Sequence, residues 1–135
     1  MILVIDANIL FSALLKKSVT AELLFKDEIM LCTPEFIMEE FLKYQDLLLK
    51  RTSRTKEEFI QIMHMLKDVI MVVPQEEYSK FMKEAQKISP DKKDTMYFAL
   101  ALKMKCGIWS NDKKLKQQDK VNIYHTDELR NEIKD

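Results

Sequence analysis

The chain opens MILVIDAN (residues 1–8). Met1 to Ile5 are five apolar residues in succession, without the alternation that marks a half-exposed strand. Such a run fits a strand buried on both faces, as in parallel sheets covered by helices. It stops at a carboxylate, Asp6, with Asn8 two residues on.

The same pattern recurs downstream. Helical stretches are expected near residues 8–16 and 19–27, the second capped by Ser18 or Thr20. Ile29–Cys32 is a second apolar run, and Thr33-Pro34 reads as an N-cap with proline in the first turn of a helix reaching about Lys50. Thr55 and Glu58 form a capping-box pattern for a helix to about Lys67. Val69–Val73 is a third strand, followed by a helix over 76–88. After Ser89-Pro90-Asp91, an apolar helix runs from Asp94 to about Lys105, with the single glycine, Gly107, as its C′ residue. Residues 108–110 and 121–124 supply the last two strands, Lys113–Gln118 a short helix, and Thr126 the cap of a terminal helix. Strands alternating with helices imply a three-layer α/β sandwich: a mainly parallel five-stranded sheet flanked by helices, one domain over residues 1–135.

The bulk composition fits a domain of this kind. A chain of 135 residues with 47% hydrophobic residues can bury one core. With 22 basic and 22 acidic residues the formal charge is zero, which argues against a protein that lives by non-specific phosphate binding alone. Cys32 and Cys106 are far apart in sequence with no ligand-like spacing, so they read as buried free thiols of a reducing cytoplasm. Asp6 and Asn8 interrupt the apolar N-terminus, no cleavage site follows, and no run reaches the ~18 apolar residues of a membrane span.

In open α/β sheets, ligand sites form outside the carboxyl ends of the strands. Asp6 ends the first strand and Asp112 follows the fourth, so both project toward one edge. Asp94 opens a helix, where the dipole favours a carboxylate. Helical spacing separates Glu39, in a solvated row with Glu35 and Lys43, from Glu40, which lines up with Ile37, Tyr44 and Leu47. An acid on a packed side is costly without a partner, which favours Glu40 as functional. Each acid has a structural role open to it as well: Asp6 as a helix cap, Asp94 as a first-turn acid behind Asp91. Several carboxylates at one edge cannot all stay ionised without a cation, which points to Mg²⁺ or Mn²⁺.

Four segments carry a family resemblance: VIDANIL (4–10), TPEFIMEEF (33–41), DKKDTMYFALAL (91–102) and IWSNDKKL (108–115). In order and spacing they resemble the PIN domain, of the kind found in VapC-type toxins and related prokaryotic nucleases. The resemblance implies that Asp6, Glu40, Asp94 and Asp112 are the catalytic, metal-holding quartet. It implies that Asn8 and Ser110 orient the ligands, with Asp91 as a further acid at the rim. The expected activity is metal-dependent RNA phosphodiester hydrolysis, leaving 5′-phosphate and 3′-hydroxyl ends. Family members are typically dimers, and the toxins pair with a small antitoxin protein.

Lys92 and Lys93 beside Asp94, and Lys113, Lys114 and Lys116 after Asp112, are candidate contacts for RNA phosphates, with Arg51 and Arg54 as a further patch. No aromatic stacking array is present, and His64 and His125 read as structural or surface residues. A haloacid-dehalogenase-like phosphatase would need an aspartate where this chain has Asn8. The remaining alternative is a degenerate PIN domain that binds RNA or protein without cutting.

Overall fold

The computed structural model describes residues 1–15 and 18–133. In chain order it contains β1 (Ile2–Ile5), α1 (Ala7–Leu14), α2 (Val19–Leu24), β2 (Met30–Pro34), α3 (Glu35–Lys43), α4 (Gln45–Thr52), α5 (Lys56–Val69) and β3 (Ile70–Val73). Then follow α6 (Gln75–Tyr78), α7 (Met82–Ile88), α8 (Thr95–Met104), β4 (Gly107–Trp109), β5 (Ile123–Tyr124) and α9 (Thr126–Glu132). Single 3-10 turns cover Ser79–Phe81, Lys92–Asp94 and Lys113–Gln117. The five strands form one sheet in the order β3-β2-β1-β4-β5, and every pairing is parallel. The α/β architecture expected from the apolar runs is therefore present.

β1 is central, and its Leu3, Val4 and Ile5 are all buried. The chain winds outward through β2 and β3, then returns to lay β4 on the other side of β1. The gap between the ends of β1 and β4 is therefore the point where the winding reverses, the usual ligand position in such sheets. The register Ile5↔Trp109 brings Asp6 and Ser110 level with each other just beyond it.

α8 packs on β1, β2 and β4, and five consecutive residues, Tyr97 to Ala101, are buried. A helix apolar on all sides must be covered on all sides, which explains its place between the sheet and α7. Trp109 is fully buried and its indole N–H donates to Thr126 Oγ1 at 3.1 Å. No helix of the described residues is long and apolar enough to cross a membrane.

Several local expectations are corrected. Thr33 and Pro34 end β2 and lead directly into α3, but Pro34, not Thr33, is its N-cap; the Thr33 hydroxyl donates across the sheet to the Ile5 carbonyl instead. The long helix expected to Lys50 breaks at Tyr44 into α3 and α4, and the helix over 76–88 is interrupted by a 3-10 turn. Helices α1 and α2 end at Leu14 and Leu24, short of the expected ends, and Lys16 lies outside the described residues. Ser18, not Thr20, caps α2, and His125, not Thr126, is the N-cap of α9. Thr55 and Glu58 do form a capping box.

Gly107 is not a helix cap. Lys105 takes the left-handed conformation that ends α8, at φ 53°, and Gly107 lies in β4. A Cβ there would stand 2.8 Å from both the Asn122 carbonyl oxygen and the Tyr124 ring, so close approach of β5 requires glycine. Cys32 and Cys106 are both free; Cys32 is buried, its thiol donating to the Leu3 carbonyl at 3.6 Å, whereas Cys106 is only half-buried.

Candidate active site

Asp6 leaves β1 and is the N-cap of α1. Its Oδ1 accepts the Ile9 N–H at 3.0 Å. Its Oδ2 accepts the Ser110 hydroxyl at 2.5 Å. The cap role open to Asp6 is thus realised, yet the carboxylate is 5% exposed, far more buried than a cap requires. Burial pushes its pKa upward; the hydrogen bonds from Ser110 and Ile9 oppose this, and the negative charge of Asp112 adds to it.

Ser110 joins the two strand ends. Besides donating to Asp6, its Oγ accepts the Asp112 backbone N–H at 3.1 Å. Asp112 caps the Lys113–Gln117 turn by accepting the Lys114 N–H at 3.0 Å. The serine therefore orients Asp6 directly and Asp112 through its backbone.

Asp94 closes the Lys92–Asp94 turn and precedes α8, half-buried and capping nothing with its side chain. One of its oxygens, Oδ2, is buried with no hydrogen-bond partner. Its pKa is pushed up to about 6, first by burial and then by Asp91, Asp112 and Asp6, with Lys93 opposing. A buried carboxylate oxygen with no donor, facing three like charges, lacks a positive partner.

A cavity of ≈ 360 Å³ opens here, and Asp6, Asn8, Glu40, Lys93, Asp94 and Tyr97 line part of it. Glu40 reaches it from α3, half-buried, while Glu39 is exposed. The packed-side argument for Glu40 holds only as far as Ile37: Tyr44 and Leu47 are 49% and 48% exposed, because the helix breaks at Tyr44. Asn8 brings an exposed side chain to the rim. Asp91 turns its carboxylate onto the Lys93 N–H at 3.1 Å, with the Lys93 ammonium 3.9 Å away.

The sheet thus brings Asp6, Asp94 and Asp112 within one another's electrostatic reach, and Glu40 to the same cavity as Asp6 and Asp94. Among the described residues no three carboxylates, imidazoles or thiols stand close enough together to hold a metal ion as placed. The donors are all hard oxygens, and the orphaned Asp94 Oδ2 is a free lone pair, so the residue types fit a hard divalent cation.

Tyr97 was not singled out from the sequence. Its hydroxyl accepts the Ala7 N–H at 3.1 Å, beside Asp6, and it lines the cavity. Burial, then the charges of Asp6 and Asp94, hold it well above the usual phenol range. Its place three residues after Asp94 on α8 is the one pattern that points to it.

Lys92, Lys93, Lys113 and Lys114 are all exposed around this edge. Lys116 is not free, being paired with Glu128. Arg54 is structural, its guanidinium donating to the carbonyls of Leu14 and Leu15.

Residues 4–134 match the family model described as PIN domain. Among solved structures, the chain is similar to one in the crystal structure of VapBC2 from Rickettsia felis bound to a DNA fragment from their promoter. That likeness has a TM-score of 0.61 at 15% identity, and covers 93% of this chain and 98% of the other. At such identity it is a likeness of fold. No curated protein matches the chain.

Proposed function

The chain belongs to the PIN-domain family of nucleases, and on that premise we propose that it is a metal-dependent ribonuclease hydrolysing RNA phosphodiester bonds at Asp6, Glu40, Asp94 and Asp112. The observation that carries this reading is Asp94: a buried, unpartnered carboxylate oxygen set among like charges. Family nucleases use divalent metal ions, and Mg²⁺ or Mn²⁺ is the ion these oxygen donors suit.

When bound, the cation supplies a low-pKa water and a counter-charge for the scissile phosphate. The chain's own residues do the rest. Asp6, Asp94 and Asp112 provide the anionic ligands, and Glu40 completes the shell or orients the attacking water from α3. Ser110 holds Asp6 in place through its hydroxyl, and Asn8 borders the ligand edge. Lys92, Lys93, Lys113 and Lys114 draw the flanking phosphates toward an otherwise acidic pocket. The protein works in the cytoplasm as a homodimer and is held in check by an antitoxin protein; the fold it shares with VapBC2 supports that partner class.

A second reading, a PIN domain that binds without cutting, is favoured by one observation: among the described residues no three ligating side chains stand at metal-holding separation. Incubating the protein with fluorescent single-stranded RNA separates the two. Cleavage that requires Mn²⁺ or Mg²⁺, stops with EDTA and leaves 5′-phosphate ends supports the nuclease. RNA binding without metal-dependent cleavage supports the module.

A further inference from the structure

The cavity bordered by Asp6, Glu40 and Asp94 has two unlike sides. One is polar, with Lys93 beside the carboxylates. The other is apolar and comes from α3, where Phe36 lies one turn before Glu40 and Ile37 one turn before Phe41. Ile37 and Phe41 are 4% and 7% exposed and belong to the core, whereas Phe36 is 47% exposed. Of the large apolar side chains exposed among the described residues, Phe36 alone lines this cavity.

The surroundings of the ring say which partner fits it. Phe36 also borders a second cavity, lined in part by Glu35, Glu39 and Glu76, with no lysine or arginine among the described residues that line it. A polyanion is repelled from that side and drawn to the exposed Lys92 and Lys93. A ligand of the first cavity must therefore offer a flat apolar face to Phe36 and negative charge to Lys93. A nucleotide does both, and a cavity of ≈ 360 Å³ is of the size that small-molecule sites have.

We propose that Phe36 is a stacking platform for one nucleobase of the RNA, belonging to a nucleotide that flanks the bond being cut; this rests on the ribonuclease reading and specifies how that site holds its substrate. Tyr97 cannot share the role, because its ring is 5% exposed. Stacking uses the π-face that every base has, so one platform holds the strand without reading its sequence. Bases inside a duplex are stacked on one another and out of reach of the ring, so the platform selects single strands, loops and ends.

The test is the kinetics of Mn²⁺-dependent cleavage of a single-stranded RNA by wild type, Phe36→Leu and Phe36→Trp. Leucine keeps an apolar side chain at this half-exposed position and removes only the π-face. Phe36→Leu should lower kcat/KM by about 5- to 150-fold, the range that loss of a stacking partner produces, mainly through KM. Phe36→Trp should cut as well as wild type. The assay is repeated on RNAs lacking the base at one or the other nucleotide flanking the bond that the wild type cuts. On one of these the wild type should fall to the level of Phe36→Leu, and the substitution should cost nothing further. Wild-type rates in Phe36→Leu, or an equal loss on the intact and both abasic RNAs, overturn the platform while the ribonuclease reading stands. A wild type that cuts no RNA overturns that reading and the platform with it.

Discussion

The hydroxyl of Ser110 donates to Oδ2 of Asp6 at 2.5 Å, joining residues 104 positions apart in the chain. The bond exists because β1 and β4 are parallel neighbours whose ends coincide, so one residue beyond each strand meets the other. It fixes the carboxylate oxygen that α1 does not use and leaves the Asp6 side chain no freedom to turn away.

Ser110→Ala should therefore damage function more than fold. Asp6 Oδ2 would lose its donor in a buried site, at a cost of about 1–3 kcal/mol. Mn²⁺ affinity and cleavage should fall by about 10–100-fold, the usual effect of removing a group that orients a ligand. Calorimetric Mn²⁺ titration and denaturant unfolding of the same variant check both. Unchanged metal affinity would mean that Ser110 does not position the ligand.

Asp94 makes the metal-free protein sensitive to pH. Its pKa is raised from the ordinary 3.8 to about 6, so between these values the folded state binds more protons than the unfolded chain. This contribution to stability is fully present below 3.8 and is lost as pH rises through about 6. With EDTA present, Asp94→Asn should be more stable than wild type at pH 7, and the gap should shrink as pH falls below 6. Saturating Mn²⁺ should reverse the order. Unfolding curves across pH, with and without metal, give the answer; a pH-independent gap would count against the charge cluster.

Lys93 lines the same cavity as Asp6, Glu40 and Asp94, and its charge offsets the negative charge around Asp94. Lys93→Ala should raise KM for RNA about equally for all sequences and reduce the slope of log affinity against log salt by about 1. Binding measured over a salt series distinguishes this from a loss confined to particular sequences.

Gly107→Ala tests the fold rather than the site. The added methyl would stand 2.8 Å from the Asn122 carbonyl oxygen, a backbone atom, so β5 must shift. A loss of about 1–3 kcal/mol is expected from such overpacking. Thermal unfolding checks it, and a neutral result would mean that β5 yields easily.

Local patterns were legible in the sequence, and long-range ones were not. The MILVI run announced a buried strand, and Thr55 with Glu58 announced a helix start, because both depend on neighbours in the chain. Thr33-Pro34 does precede a helix, but Thr33 does not cap it, because its hydroxyl is claimed by Ile5 across the sheet. Gly107 is glycine for the sake of β5, which is not visible in spacing. Asp6, Asp94 and Asp112 could be selected because strand ends and helix starts define one edge of the sheet. Glu40 was chosen partly on a packed face that the break at Tyr44 does not supply. Tyr97 was passed over because a tyrosine on an apolar helix looks like core.

In the proposed mechanism these carboxylates hold the ion with which the protein cuts RNA. Its most direct test is a side-by-side Mn²⁺ titration and RNA cleavage assay of wild type, Asp6→Asn and Asp94→Asn. The account predicts that the wild type binds Mn²⁺ and cleaves, and that each variant remains folded but loses binding and cleavage together. Cleavage that persists in both variants, or wild-type protein that neither binds Mn²⁺ nor cuts, would contradict it.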